Sequence, residues 1–187
     1  MTTEHYRTST EEPSIWLGCL HHYNCGVLVG QWFSAVGAGE VTLADVHAGS
    51  GLGYAECEEI HGFDVDCIPV NREMSAMEAA QWGEVFEEVG TGQWPALCAW
   101  VRSGSYVAQG DTDLPCVGDF EERYAGHWDS FADYAYQLAE DLDMFDGLPE
   151  DHVAVRYFGW SSWIHDLKMD HSVESDCHGG VYVFRSL

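Results

Sequence analysis

The stretch "DSFADYAYQLAEDLDMFDGLPED", residues 129–151, has eight Asp or Glu among its 23 residues and no Lys or Arg. Ser130 and Asp133 have the S-x-x-D spacing of a helix N-terminus, where a side-chain oxygen accepts an otherwise unpaired backbone N–H. Behind that cap, Phe131, Ala135, Leu138, Leu142 and Phe145 follow the helical period and form one apolar stripe. Asp133, Glu140 and Asp141 fall on the opposite side. Asp133 and Glu140 stack on one face, separated by about 10 Å of helical rise. The spacing predicts a helix with one face for a core and one face of carboxylates. A solvated face is the ordinary role of such a charge run, but here the whole chain repeats the pattern.

Over 187 residues there are 32 Asp+Glu against 7 Lys+Arg, a formal net charge of −25. Apolar residues still make up 46%, enough to bury a core, so this is not a disordered acidic tail. Self-repulsion of that size favours solubility and opposes compaction. It excludes nucleic acid and anionic membrane surfaces as partners, because phosphates would be repelled along nearly the whole chain. Cations and basic protein surfaces are the complementary partners. No run approaches the roughly 18 apolar residues of a membrane span. The opening "MTTEHYRTSTEEPS" lacks the apolar segment and cleavage pattern of a secretory leader. The cytoplasm is therefore the expected compartment. Cys19, Cys25, Cys57, Cys67, Cys98, Cys116 and Cys177 make no disulfide framework and read as free thiols.

Working outward from the acidic helix, residues 1–13 read as a polar, mobile segment. "IWLGCL" (15–20) and "VLVGQWF" (27–33) read as two strands around the turn residues of "HHYNCG". "TLADVHA" (42–48) reads as a short helix capped by Thr42 and broken by "GSGLG". In "SAMEAAQWGEVFEEVG" (75–90), Ser75 and Glu78 form a capping box. Ala79, Trp82, Val85, Phe86 and Val89 share one face there, and Glu84, Glu87 and Glu88 the other. "WPALCAWVRSG" (94–104) has Pro95 near its start and Gly104 past its end, as a helix would. After the acidic helix, "VAVRYF" (153–158) reads as a strand, "SSWIHDL" (161–167) as a short helix, and "HGGVYVFRSL" (178–187) as a turn into a final strand. The fold class is α+β.

Candidate chemistry is sparse. Cys19, His21, His22 and Cys25 form a weak candidate metal cluster: in a strand Cys19 and His21 share a face, but no paired C-x-x-C or H-E-x-x-H pattern is present. "DLDMFDG" (141–147) fails the EF-hand pattern, since Phe145 and Asp146 hold the places of an acid and a Gly. "GSGLG" lacks the lysine of a phosphate-binding loop. No nucleophile–base arrangement stands out, so neither an enzyme nor a cofactor is expected. The charge itself is left. DNA displays one negative charge per ~1.7 Å, and proteins that bind it carry basic grooves that a folded row of carboxylates can occupy.

Several stretches resemble one family. "YNCGVLVGQWF" (23–33) resembles the Y-N-x-G-x-L-x-G-x-W segment of ArdA antirestriction proteins. "FEERYAGHWDSFADYAYQLAEDL" (120–142) resembles that family's E-x-x-Y-x-G-x-[FWY]-D-S segment and acidic helix. "WIHDLKMD" (163–170) and "HGGVYVF" (178–184) resemble its later segments, in the right order. The resemblance implies a non-enzymatic DNA mimic, carried by mobile genetic elements, that occupies the DNA groove of a host type I restriction–modification enzyme, on its methyltransferase core. It also implies a homodimer joined through the C-terminal modules, and an elongated string of three small modules. These would be an α+β module at 14–70, a helical one at 71–110 and an α+β one at 111–187. Under it, Asp129, Asp133, Glu140, Asp141, Asp143, Asp146, Glu84, Glu87, Glu88, Glu121 and Glu122 are phosphate surrogates. Tyr23, Asn24, Gly26 and Trp32 belong to the first motif, with Tyr23, Asn24 and Gly26 as a structural turn. Tyr124, Gly126, Trp128 and Ser130 set the entry of the acidic helix. Two departures stand out: the crowded cysteines and histidines of the first module, and "GWSSW" (159–163), aromatic where the family is more acidic. A DNA mimic aimed at another DNA-binding protein and a Cys/His metal protein are the competing readings.

Overall fold

The computed structural model describes residues 12–186. Strand Ser14–Cys19 (β1) has Ile15, Leu17 and Cys19 at or below 1% exposure, so it sits inside its sheet and not at the edge. The short helix Leu20–Asn24 (α1) turns the chain, and Gly30–Ser34 (β2) returns antiparallel on one edge of β1. The loop expected at "HHYNCG" is thus largely helical. A capping box between Thr42 and Asp45 opens helix Leu43–Val46 (α2), with the Asp45 N–H donating to Thr42 Oγ1 and the Thr42 N–H to the carboxylate. Strand Ile60–Asp66 (β3) covers the other edge of β1, for an order β2-β1-β3. Of the segment expected to be mobile, residues 1–11 lie outside the described residues. Pro13 is buried, and its carbonyl accepts from the Ala35 N–H at 2.8 Å.

Helix Ala76–Val89 (α3) starts and stops on the expected signals. The Ser75 N–H donates to Glu78 at 2.8 Å, the Glu78 N–H donates back at 3.1 Å, and Gly90 ends the helix at φ 78°. Ala79, Trp82, Val85 and Phe86 are buried. Gly83 lets the helix lie directly on the backbone of Ala35 and Val36, where a Cβ would stand 2.6 Å from main-chain atoms. Helix Trp94–Ser103 (α4) follows. Trp94 meets Trp82 and Phe86 edge-on, with ring centres 6.4 and 5.4 Å away, and donates to the Cys67 carbonyl at 3.1 Å.

Contacts group the chain into two compact units: residues up to Cys98 with Ala108–Val117, and Ala99–Val107 with the chain from Gly118 onward. Within the first unit, α3 packs on the first sheet.

The second unit holds helix Val117–Arg123 (α5) apart from its first residue, strand Tyr124–Trp128 (β4) and the acidic helix Phe131–Asp141 (α6). Helices Val153–Arg156 (α7) and Trp160–Lys168 (α8) come next, then the hairpin of His171–Ser175 (β5) and Val181–Arg185 (β6). Strand β6 is central in the order β4-β6-β5. Both its faces are covered. Val183 packs with Phe131 and Tyr134 of α6, while Phe184 lies 5.6–6.3 Å from the rings of Trp100, Phe120 and Tyr124.

The strand expected at 153–158 is instead α7. A short apolar run carries no period that separates strand from helix, and a strand needs a partner. His152 Nδ1 accepts from the Ala154 N–H at 3.2 Å and caps a helical turn, and no described strand pairs with the segment. The acidic helix also ends at Asp141, short of the apolar stripe. Leu142 is 61% exposed, and Phe145 meets Phe158 and Trp160 edge-on from a following turn.

Candidate functional site

Up to Asp141, helix α6 follows the predicted spacing. Ser130 accepts from the Asp133 N–H at 3.3 Å, and Phe131, Tyr134, Ala135 and Ala139 are buried. Its other side leaves Asp133, Glu140 and Asp141 exposed, with Asp143 and Asp146 exposed in the turns beyond and Asp129 just before. Glu121 and Glu122 are exposed on α5. In the first unit, Glu84, Glu87 and Glu88 are exposed on α3. Among the described residues, none of these carboxylates is in an ion pair. Their few side-chain partners are neutral: Ser130 for Asp133 at 2.5 Å and Gln137 for Asp141 at 2.9 Å.

Four of the seven Lys and Arg residues are engaged elsewhere. Arg72 bridges Glu78 and Asp113 at 3.0 and 2.8 Å. Arg123, Arg156 and Lys168 lie over the rings of Trp100, Tyr157 and Phe131, about 6 Å from their centres. These four basic side chains lie at aromatic faces or at the foot of α3, and none of them pairs with an α6 carboxylate.

The motif residues surround these elements. Gly26 adopts φ 79°, and its N–H closes α1 onto the Tyr23 carbonyl at 2.9 Å. Tyr23 lies on Phe63, with ring centres 4.6 Å apart. Asn24 is the last residue of α1, and Trp32 stands opposite Trp16 across β1–β2. Tyr124 stacks on Phe120 at 5.2 Å. Trp128 donates to the Ala125 carbonyl at 2.9 Å and meets Tyr134 of α6 at 5.6 Å, so it joins β4 to the acidic helix. Gly126, at φ 107°, lies under that indole.

The cysteines and histidines converge differently from the sequence cluster. Cys19 and His22 come together, but His21 and Cys25 are exposed and outside the group. Their places are taken by His47, at the end of α2, and Cys57, in the loop before β3. One ligand atom from each of Cys19, His22, His47 and Cys57 lies within 4.8 Å of all the others. His22 Nδ1 is 3.4 Å from each sulfur and 3.3 Å from His47 Nε2, which is 3.9 Å from Cys57 Sγ. Burial, and after it the Cys19 thiol, push the Cys57 thiol up to about 11. Among the described residues, no other group of His, Cys, Asp and Glu converges in this way.

Two small antiparallel sheets backed by helices define an α+β protein. The family model of the antirestriction protein ArdA matches residues 15–182, and the chain belongs to that family. No individual curated protein matches it. Among the described residues, no helix is long and apolar enough to cross a membrane.

Proposed function

We propose that the protein blocks a host type I restriction–modification enzyme by occupying the DNA groove of its methyltransferase core. Carboxylates stand where phosphates would, and the groove's Lys and Arg pair with them. The observation that carries this reading is the set of exposed α6 carboxylates with no cation partner, in a chain of the ArdA family. Each contact is an exposed ion pair worth roughly 0.2–1 kcal/mol, so affinity is the sum of many. Association is fast and strongly salt-dependent. The protein acts in the cytoplasm of the host, without catalysis, as a homodimer. Val153 at the start of α7 and Tyr157 just past its end, 69% and 75% exposed, supply apolar surface suited to a subunit contact.

The test is binding of the purified protein to a type I methyltransferase core, in competition with duplex DNA at several salt concentrations. Mutually exclusive, salt-sensitive binding is expected. Binding that persists alongside bound DNA would overturn the mimicry. No binding by a folded protein would direct the charge to another DNA-binding protein.

A further inference from the structure

We propose that Cys19, His22, His47 and Cys57 form a structural zinc site in the N-terminal unit. Tetrahedral zinc, with Zn–S near 2.3 Å and Zn–N near 2.0–2.1 Å, separates its ligand atoms by about 3.3 Å for N–N, 3.6 Å for N–S and 3.8 Å for S–S. The observed separations are 3.3 Å between the two nitrogens and 3.4, 3.4 and 3.9 Å between nitrogen and sulfur. Four of the six separations thus match those around one small tetrahedral ion, and the other two are no longer than 4.8 Å.

The second shell agrees. His47 Nδ1 lies 2.8 Å from the Leu43 carbonyl, so it carries the proton and donates. That leaves Nε2 with a bare lone pair aimed at the other three groups, the arrangement in which a histidine ligand is held by its second nitrogen. The Tyr54 ring lies 5.1 Å from the His47 ring. Two thiolates and two neutral imidazoles balance Zn²⁺, and binding releases the two thiol protons to solvent. Such a closed soft set with no open position is structural and not catalytic. An iron–sulfur cluster of two irons needs its cysteines and histidines as separated pairs. Here His22 touches both sulfurs.

The site also accounts for a loop. From Ala48 to Glu59 every residue is exposed except Cys57, and no helix or strand holds the segment. An ion would clip that loop to β1, α1 and α2, closing it at one buried point.

The experiment uses the full chain, purified without a histidine tag. Zinc is measured by mass spectrometry, and cobalt(II) is substituted into the same unaltered protein. About one zinc per chain is expected, with the intense visible bands and near-ultraviolet thiolate charge-transfer band of tetrahedral cobalt. Cys57→Ser and His47→Ala should lose the metal, while His21→Ala and Cys25→Ser keep it. Absence of zinc together with no tetrahedral cobalt spectrum overturns the site. So does metal whose loss follows His21 or Cys25. The cobalt spectrum needs no variant, so the answer stands even where Cys57→Ser fails to fold. Neither result depends on whether a restriction enzyme is bound.

Discussion

The Cys/His cluster of the first unit and the acidic helix of the second both gather like groups, and they differ in solvent. Three of the four cluster residues are buried, and all four ligand atoms lie within 4.8 Å of one another. The carboxylates of α6 stand in water, and among the described residues no cation pairs with them. In the first place each group is indispensable, because a missing ligand leaves the other three without a closed shell. In the second, screening makes each group cheap and only the number counts. A compact buried site concentrates energy on a few residues, while an exposed charged face spreads it over many.

The largest effect should come from neither region but from the scaffold of the acidic helix. Phe184 is 1% exposed and packs under Trp100, Phe120 and Tyr124. Phe184→Ala should cost ~3–5 kcal/mol of stability in urea denaturation. A loss below ~1 kcal/mol would mean that β6 does not anchor the second unit. Next comes the charge taken together. Changing Asp133, Glu140, Asp141 and Asp143 to their amides at once should weaken binding to the methyltransferase core by ~1–4 kcal/mol, the sum of four exposed pairs. The salt dependence should flatten as well. If the fourfold variant binds as the parent does, the acidic helix is a solvated face and nothing more.

In the first unit, Gly83→Ala places a methyl 2.6 Å from the backbone of Ala35 and Val36. Helix propensity favours alanine by ~1 kcal/mol, but the clash is with main chain that cannot swing aside. A net loss of ~1–3 kcal/mol is expected by thermal denaturation. A gain would show that α3 does not lie tightly on residues 35–36.

How far these features can be read from sequence follows the range of the forces involved. The capping boxes at Ser75 and Thr42, the Ser130 cap and the apolar faces of α3 and α6 are local, and the spacing alone predicts them. Strands β3, β4 and β5 escape such a reading. "HSVES" and "YAGHW" have little strand character of their own and are held by pairing with β6. "VAVRYF" shows the reverse error: β-branched residues with no partner, resolved as a helical turn. The convergence of Cys19, His22, His47 and Cys57 is local only in part. Read as a strand, the chain puts Cys19 and His21 on one face. It turns helical at Leu20 instead, so the C-x-x-H pair Cys19 and His22 meets. His47 and Cys57 arrive only through tertiary folding, which no spacing within 19–25 signals.

A smaller effect belongs to Glu78. Its carboxyl is held below the ordinary value, first by the Ser75 N–H and then by the Ser75 hydroxyl and Arg72, against some burial. The folded state therefore gains from its ionised form. That gain is complete above the unfolded glutamate value of about 4.3 and is lost as pH falls through the lower folded value. Below about pH 4 the stability advantage of the parent over Glu78→Gln should shrink. An advantage unchanged by acid would assign Glu78 a packing role alone.

The smallest expected effect is the most pointed test of the contrast. Asp143 is exposed and sits at φ 50°, a left-handed conformation that Asn adopts as readily as Asp. Asp143→Asn thus removes one charge and disturbs almost nothing else. Stability should stay within ~0.5 kcal/mol of the parent. Affinity for the methyltransferase core should fall by ~0.2–1 kcal/mol, about 1.4- to 5-fold. A loss well beyond tenfold with stability unchanged would make Asp143 a single dominant contact. The acidic face would then resemble the buried cluster, with its energy on one residue, and the distributed picture of the charged surface would have to be given up.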